Sequence, residues 1–274
     1  MQFIKTQTFT DLFYEGKINL KKRLGQNFLI NTNVADKIVN CMSNSYLSSV
    51  LEIGAGSGIL TRALLQSDIS KLVAVEVDQL LISHLQSLEQ QYQEKLKIVH
   101  ADALRITEEH LMKKKFKIIA NVPYNISSLL LVKWLKKVHY IDEMIIMLQQ
   151  EVADRIISKQ SSKSYGRISI LAQCLCYCEK LFDVYPDSFF PKPKIISSVV
   201  KLVPKPNISI NNIERLDKIC KILFMNKRKK IYTTLKKNFS EVLNIINNLS
   251  INTNLRAEDL AAEDFYRISQ KVNI

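Results

Sequence analysis

Short apolar runs alternate with longer amphipathic ones between residues 50 and 158, and this alternation leaves the chain few architectures to fold into. The strand-like runs are Val50–Ile53, Lys71–Val77, Lys97–His100, Lys117–Ala120 and Ile141–Leu148. A helix-like stretch comes after each of them, at 58–66, 79–93, 107–112, 127–137 and 150–158. Another covers 34–42, with Asn31, Thr32 or Asn33 as its cap. Strands joined through helices run parallel, because the crossover returns the chain to the same end of the sheet. Strands that are apolar on both sides need cover on both faces. The expectation is an α/β fold with a parallel sheet between layers of helices.

After residue 158 the pattern changes. Ser161–Gly166 reads as a polar loop and Arg167–Leu175 as a helix, and strand-like pieces return at Lys180–Val184 and Ser197–Leu202. Pro204-Lys205-Pro206-Asn207 has linker chemistry, since its prolines fix φ and remove backbone donors. Helical periodicity then dominates at 213–225, 231–239, 241–249 and 261–272. Three segments are expected: an N-terminal arm over 1–30, an α/β domain over 31–204 and a small helical domain over 205–274.

Charge singles out the last segment. The chain carries 39 Lys and Arg against 26 Asp and Glu, a formal net charge of +13. From Lys201 to Ser240, eleven Lys and Arg stand against only Glu214 and Asp217. The densest run is Lys227-Arg228-Lys229-Lys230, and a second cluster, Lys21-Lys22-Arg23, lies near the N-terminus. A single charge run is usually a solvated face; two clusters on a strongly basic chain favour a nucleic-acid partner. No run has the length of a membrane helix, and the first twenty residues lack the apolar core of a signal peptide, so a cytoplasmic protein with no membrane partner is expected. The five cysteines are odd in number, and Cys174-X-Cys-X-Cys178 has neither zinc spacing nor a nearby histidine. Buried thiols are expected there, with no metal.

Chemistry concentrates where strands end. Leu51-Glu52-Ile53-Gly54-Ala55-Gly56-Ser57-Gly58 runs from the first sheet strand into a helix, and glycines there let the backbone turn sharply and approach a ligand. The spacing is G-x-G-x-G rather than the dinucleotide G-x-G-x-x-G, which indicates a nucleotide-type ligand or simply a tight turn. Glu76 ends the next strand, where a carboxylate can accept both ribose hydroxyls. Asp102 comes after the third strand and is placed to accept from an adenine amino group. Either acid alone could instead be a helix cap. Asn121-Val122-Pro123-Tyr124 comes after the fourth strand: the Asn121 oxygen and the Val122 carbonyl, steadied by Pro123, can accept from an exocyclic amine while Tyr124 stacks on the ring. Asn-X-Pro is also a common turn signal, so the weight lies in the ordered set.

Four motifs carry a resemblance: Lys22-Arg23-Leu24-Gly25-Gln26-Asn27-Phe28-Leu29, Glu52 to Gly58, Asn121 to Ser127, and Phe189-Phe190-Pro191-Lys192-Pro193-Lys194. By these the chain resembles the S-adenosylmethionine-dependent rRNA adenine N6,N6-dimethyltransferases, and more closely their small-subunit (KsgA-type) members. The resemblance implies a Rossmann-like class I methyltransferase fold with a mostly parallel seven-stranded sheet and a small C-terminal all-α domain. It implies that Asn27, Leu29, Gly54, Glu76, Asp102 and Asn121 line a site for S-adenosyl-L-methionine. It further implies dimethylation of two adjacent adenosines in a loop near the 3′ end of small-subunit (16S) rRNA, within a pre-30S particle, by a monomer. Two departures are small: Val122 stands where Leu or Ile is usual, and Ala55 where Pro is frequent.

On that basis Asn121 and Val122 would accept the two N6 hydrogens and aim the nitrogen lone pair at the methyl group, so that positioning and electrostatics do most of the work. Tyr124 would stack on one face of the base and Phe189 on the other, although adjacent Phe190 could exchange roles with it. Lys227, Arg228, Lys229 and Lys230, expected on a basic helix, would grip RNA phosphates. The alternatives are a large-subunit (Erm-type) enzyme, a DNA adenine methyltransferase, and an assembly factor in which catalysis is incidental.

Overall fold

A computed structural model describes Phe13, residues 25–239 and residues 249–271. Of the expected N-terminal arm only Phe13 and residues 25–30 are described, so Lys21-Lys22-Arg23 lie outside the described residues, as does most of the helix expected over 241–249.

The periodicity along the chain becomes a layered order in space. After β1 (Phe28–Leu29) and α1 (Thr32–Asn40) come β2 (Ser49–Ile53), α2 (Ile59–Gln66), β3 (Lys71–Glu76), α3 (Gln79–Gln91) and β4 (Leu96–His100). A single turn, α4 (Glu108–Leu111), leads to β5 (Phe116–Asn121), α5 (Ser127–Leu135), β6 (Ile141–Gln149) and α6 (Gln150–Ile156). Asn31 caps α1 by accepting from the Val34 N–H. The later elements are α7 (Arg167–Leu175), β7 (Cys176–Val184), β8 (Phe189–Phe190), β9 (Ser197–Pro204), α8 (Ile210–Met225), α9 (Ile231–Asn238) and α10 (Ala262–Lys271). The strand expected from Lys180 begins earlier, at Cys176, directly after α7.

The seven-stranded sheet has the order β4-β3-β2-β5-β6-β9-β7. β2 pairs in parallel with both β3 and β5, β3 with β4, and β5 with β6. The chain thus leaves β2 on one side for β3 and returns on the other side at β5. That reversal opens a crevice at the carboxyl ends of β2 and β5, where open α/β sheets bind ligands. At the amino ends a buried pair closes the sheet. Lys117 Nζ lies 2.9 Å from Glu143 Oε2 and also donates to the Ser43 carbonyl, while Glu143 accepts from the Ser43 N–H and Oγ–H.

The chain separates into two compact units. The first comprises the described residues of Met1–Leu130, Tyr140–Gln150 and Leu181–Val200, and the second those of Leu131–His139, Glu151–Lys180 and Lys201–Ile274. In the second, α10 packs on α7 and α8, and fully buried Phe265 stacks on Phe224 with ring centroids 5.8 Å apart. Lys227–Lys230 is not helical as expected. These four residues occupy the exposed connection between α8 and α9, where consecutive cations splay into water instead of crowding like charges one turn apart. Cys174, Cys176 and Cys220 are buried thiols, and burial pushes Cys174 up to about 12. Among the described residues no helix is long and apolar enough to cross a membrane.

Candidate active site

The crevice lies wholly within the first unit and is lined by segments 25–29, 53–57, 75–77, 101–104 and 121–126. Each of these is the residue run just after a strand, or the N-terminal segment laid across those ends. Asn27, Leu29, Gly54, Glu76, Asp102, Asn121, Val122, Pro123 and Tyr124 are all among the lining residues.

Glycine is required here by conformation and by space. Gly54 has φ 78°, and a Cβ on it would lie 3.2 Å from the Asn121 carbonyl oxygen, so β2 and β5 can end side by side only because the group is absent. Gly58 has φ 77°, and a Cβ there would sit 2.7 Å from Leu85 Cδ2 on α3. The turn between them is tied to Glu76. Its Oε2 accepts from the Gly56 N–H at 2.9 Å, and its Oε1 accepts from the Val77 and Asp78 N–H groups at 2.8 and 2.9 Å. A carboxylate has about four acceptor positions. With three taken by backbone, one remains on Oε2, fewer than the two expected for a pair of ribose hydroxyls. Burial pushes the Glu76 carboxyl above its ordinary value; the three backbone bonds oppose this and the charge of Asp78 adds to it.

Asp102 stands at the crevice's other end. Its Oδ1 accepts from the Leu104 N–H at 2.9 Å, and exposed Arg105 lies 3.5 Å from Oδ2. A screened surface pair of this kind is weak, so Oδ2 is available to a ligand donor.

The N-terminal segment is pinned across the site at three points. Gln26 Nε2 donates to Asp78 Oδ2 at 3.0 Å, Ser57 Oγ donates to the Leu29 carbonyl at 2.7 Å, and Asn121 Nδ2 donates to the Asn27 carbonyl at 3.4 Å. The last contact, though long, engages the nitrogen end of the Asn121 amide and leaves its oxygen end turned to no partner among the described residues. The tetrad is held as firmly. Val122 N–H donates to the Met147 carbonyl at 3.3 Å, and Ser127 Oγ donates to the Tyr124 carbonyl at 3.0 Å. The Tyr124 hydroxyl lies 2.7 Å from Ser197 Oγ.

Phe189, expected to stack on the base, does not line the crevice, and neither does adjacent Phe190. It is 2% exposed and packs into the core of the first unit, whereas Phe190 is half-buried. The cause is register: β8 pairs antiparallel with β1, Leu29 opposite Phe189 and Phe28 opposite Phe190, and successive strand residues face opposite ways. The Phe190 ring meets Phe13 edge-on, with centroids 4.8 Å apart.

Three features are not evident from sequence patterns. Glu52 is fully buried in the middle of β2 with neither carboxyl oxygen hydrogen-bonded; its signal is a charged residue inside an otherwise apolar parallel strand. Ser197 has no local signal. In the second unit, Asp217 is buried beneath Arg167, Lys136 and Lys221, at 2.5, 3.0 and 3.2 Å. One carboxylate thus gathers three cations from separate stretches of chain, a local surplus of positive charge. Burial alone would raise the Asp217 pKa; bonds from Lys136 and Arg167, the Arg167 charge and the Lys221 bond outweigh it and hold it below the ordinary value.

Comparison with known proteins agrees with this geometry. A sequence model of the family described as Ribosomal RNA adenine dimethylase matches residues 17–273. "Ribosomal RNA small subunit methyltransferase A" of Wolbachia sp. subsp. Drosophila simulans (strain wRi) is 38% identical over 92% of this chain and 93% of its own. The protein of the same name from Ehrlichia ruminantium (strain Gardel) is 39% identical over 92% of this chain and 97% of its own. A solved dimethyladenosine transferase from Plasmodium falciparum superposes with a TM-score of 0.76 at 27% identity, covering 88% of this chain and 95% of that one.

Proposed function

The chain belongs to the ribosomal RNA adenine dimethylase family, and from that premise we propose that it transfers methyl groups from S-adenosyl-L-methionine to N6 of two adjacent adenosines in a loop near the 3′ end of small-subunit rRNA. The relatives' shared name, Ribosomal RNA small subunit methyltransferase A, favours that substrate over a large-subunit one. The observation that carries the chemistry is the Asn121 amide, engaged at its nitrogen end by the Asn27 carbonyl where Gly54 lets β2 and β5 end side by side.

The residues present fit the cofactor. Gly54 gives the close backbone approach, Oε2 of Glu76 can accept one ribose hydroxyl without releasing the loop, and Asp102 can accept from the adenine amine at the expense of Arg105. Asn27 and Leu29 close the crevice from the N-terminal segment. When bound, S-adenosylmethionine supplies an electrophilic methyl on its sulfonium.

The task left to the protein is to expose the N6 lone pair, which the adenine ring delocalises. Asn121 Oδ1 and the Val122 carbonyl accept the two N6 hydrogens, which favours a pyramidal nitrogen with its lone pair directed away from both acceptors. Neither group has to remove a proton before transfer, because the methylated N6 sheds one proton to water afterwards and S-adenosylhomocysteine is the other product, so the contribution is orientation and fixed dipoles. Tyr124 stacks on one face of a base taken out of its RNA stack, and the second face falls to Phe189 or to adjacent Phe190, of which Phe190 is the more exposed. Unstacking costs a few kcal/mol, and stacking restores about 1–3 kcal/mol. Lys227, Arg228, Lys229 and Lys230 of the second unit grip phosphates, which positions the RNA without reading its sequence. The substrate particle is a pre-30S subunit and the enzyme acts as a monomer.

The test is methyl transfer from labelled cofactor to isolated small subunits, with the modified adenosines mapped. Asn121→Ala is expected to abolish transfer while cofactor binding largely survives; near-normal turnover by that variant defeats the mechanism.

A further inference from the structure

Tyr124 carries a hydroxyl that stacking does not need. A phenylalanine would offer the same ring face, and a hydroxyl in a half-buried position costs free energy unless it is hydrogen-bonded. Its partner here is Ser197, 73 residues further along the chain, with the two oxygens 2.7 Å apart. Ser197 is itself 0% exposed and opens β9, a strand of the main sheet. The other end of Tyr124 is held by fully buried Ser127, whose Oγ donates to the Tyr124 carbonyl at 3.0 Å.

This arrangement has a mechanical consequence. The outer torsion of a tyrosine is broad, so a ring held only at its backbone swings and tilts. Anchoring the tip to a sheet residue gives the ring the rigidity of the sheet rather than of its loop. The segment just before Ser197 is fixed too, through the Gln150 N–H donating to the Ile196 carbonyl at 3.0 Å.

We propose that Ser197 is a positioning residue that fixes the Tyr124 ring for stacking, and that this fixation matters most for the second methyl transfer. The inference rests on the activity proposed above. Adenine N6 has two hydrogens in the first round and two acceptors to hold them, Asn121 Oδ1 and the Val122 carbonyl. In the second round one hydrogen has been replaced by methyl, so only one such bond can form. Orientation of the monomethylated base then depends more heavily on the aromatic face. A ring free to tilt should therefore slow the second transfer more than the first.

The experiment tracks N6-monomethyl- and N6,N6-dimethyladenosine over time in small subunits treated with wild type, Ser197→Ala, Tyr124→Phe and the double variant. Cofactor affinity and thermal unfolding are measured in parallel. Both single variants are expected to bind cofactor as wild type does and to accumulate monomethyladenosine. Loss of one hydrogen bond corresponds to about a 5- to 10-fold slower second transfer. The double variant should be no worse than either single one, because both remove the same contact. A general packing defect would depress both transfers equally and leave the mono-to-dimethyl ratio unmoved. Tyr124→Phe keeps the ring and breaks the same bond from its half-exposed side, so the test stands even where Ser197→Ala folds poorly. An unchanged ratio in Tyr124→Phe beside a dimethylating wild type overturns the inference alone. Additive losses in the double variant overturn the pairing. A wild type that forms no N6-methyladenosine overturns the activity and this inference with it.

Discussion

Glu52→Gln is a perturbation whose size can be worked out from the fold. Glu52 lies in β2 beneath the glycine turn, is 0% exposed, and has no hydrogen-bond partner on either carboxyl oxygen. Burial pushes its pKa from the usual 4.5 to about 8; Thr61 opposes this and the charge of Glu76 adds to it. The Thr61 hydroxyl is also buried without a partner, so it stands beside the carboxyl short of full hydrogen-bond geometry and only partly offsets the burial. The folded protein therefore holds a proton on Glu52 at neutral pH that the unfolded chain releases. With the folded pKa raised, the stabilising contribution is complete below 4.5, is lost as pH rises toward about 8, and is flat above that. The slope is about 1.4 kcal/mol per pH unit, so Glu52 costs roughly 3 kcal/mol at pH 7 relative to acid. Glutamine has the same shape and no titration, and the penalty for burying its amide is the same at every pH. Urea unfolding from pH 5 to pH 8 should show wild type losing roughly 3–4 kcal/mol more than the variant. Parallel curves for the two proteins, within about 0.5 kcal/mol across that range, refute the picture of a neutral buried acid.

Gly58→Ala combines a left-handed φ with a Cβ 2.7 Å from Leu85 Cδ2; a loss of about 1–3 kcal/mol in chemical denaturation, together with weakened cofactor binding in calorimetry, is expected. Reversing the charges of exposed Lys227, Arg228, Lys229 and Lys230 should weaken rRNA binding and flatten the dependence of affinity on salt concentration; unchanged affinity in a salt titration removes them from the interface. Asp217→Asn leaves Arg167, Lys136 and Lys221 crowded around a neutral group, at a cost of about 1–3 kcal/mol at neutral pH after allowing for their partial exposure. Because the Asp217 pKa is lowered on folding, its stabilisation is present above the ordinary aspartate value and fades as pH falls through the lower folded one. The variant should therefore lose less stability than wild type on acidification, read as a smaller shift in melting temperature.

The sheet and the location of the crevice were legible along the chain because each rests on local physics. Apolar runs of strand length separated by helical periods dictate parallel pairing. A glycine turn, two acids and Asn121-Val122-Pro123-Tyr124 each stand at the carboxyl end of a strand, and parallel strands gather those ends along one edge of the sheet. The role of each residue at that edge depended on neighbours far away in sequence. Glu76 looks like a ribose ligand from its position, yet three backbone N–H groups already occupy most of its oxygens. Phe189 and Phe190 are chemically identical neighbours, and only the pairing of β8 with β1 decides which is core and which is half-exposed. Ser197 meets Tyr124 across 73 residues, and Asp217 collects Lys136 and Arg167 from segments that no periodicity connects to it. Local sequence thus determined the order of elements and the chemistry each carries to the sheet edge. Tertiary packing decided which hydrogen-bonding positions remain free and which aromatic ring is buried, because burial and register are properties of the assembled sheet rather than of any one segment.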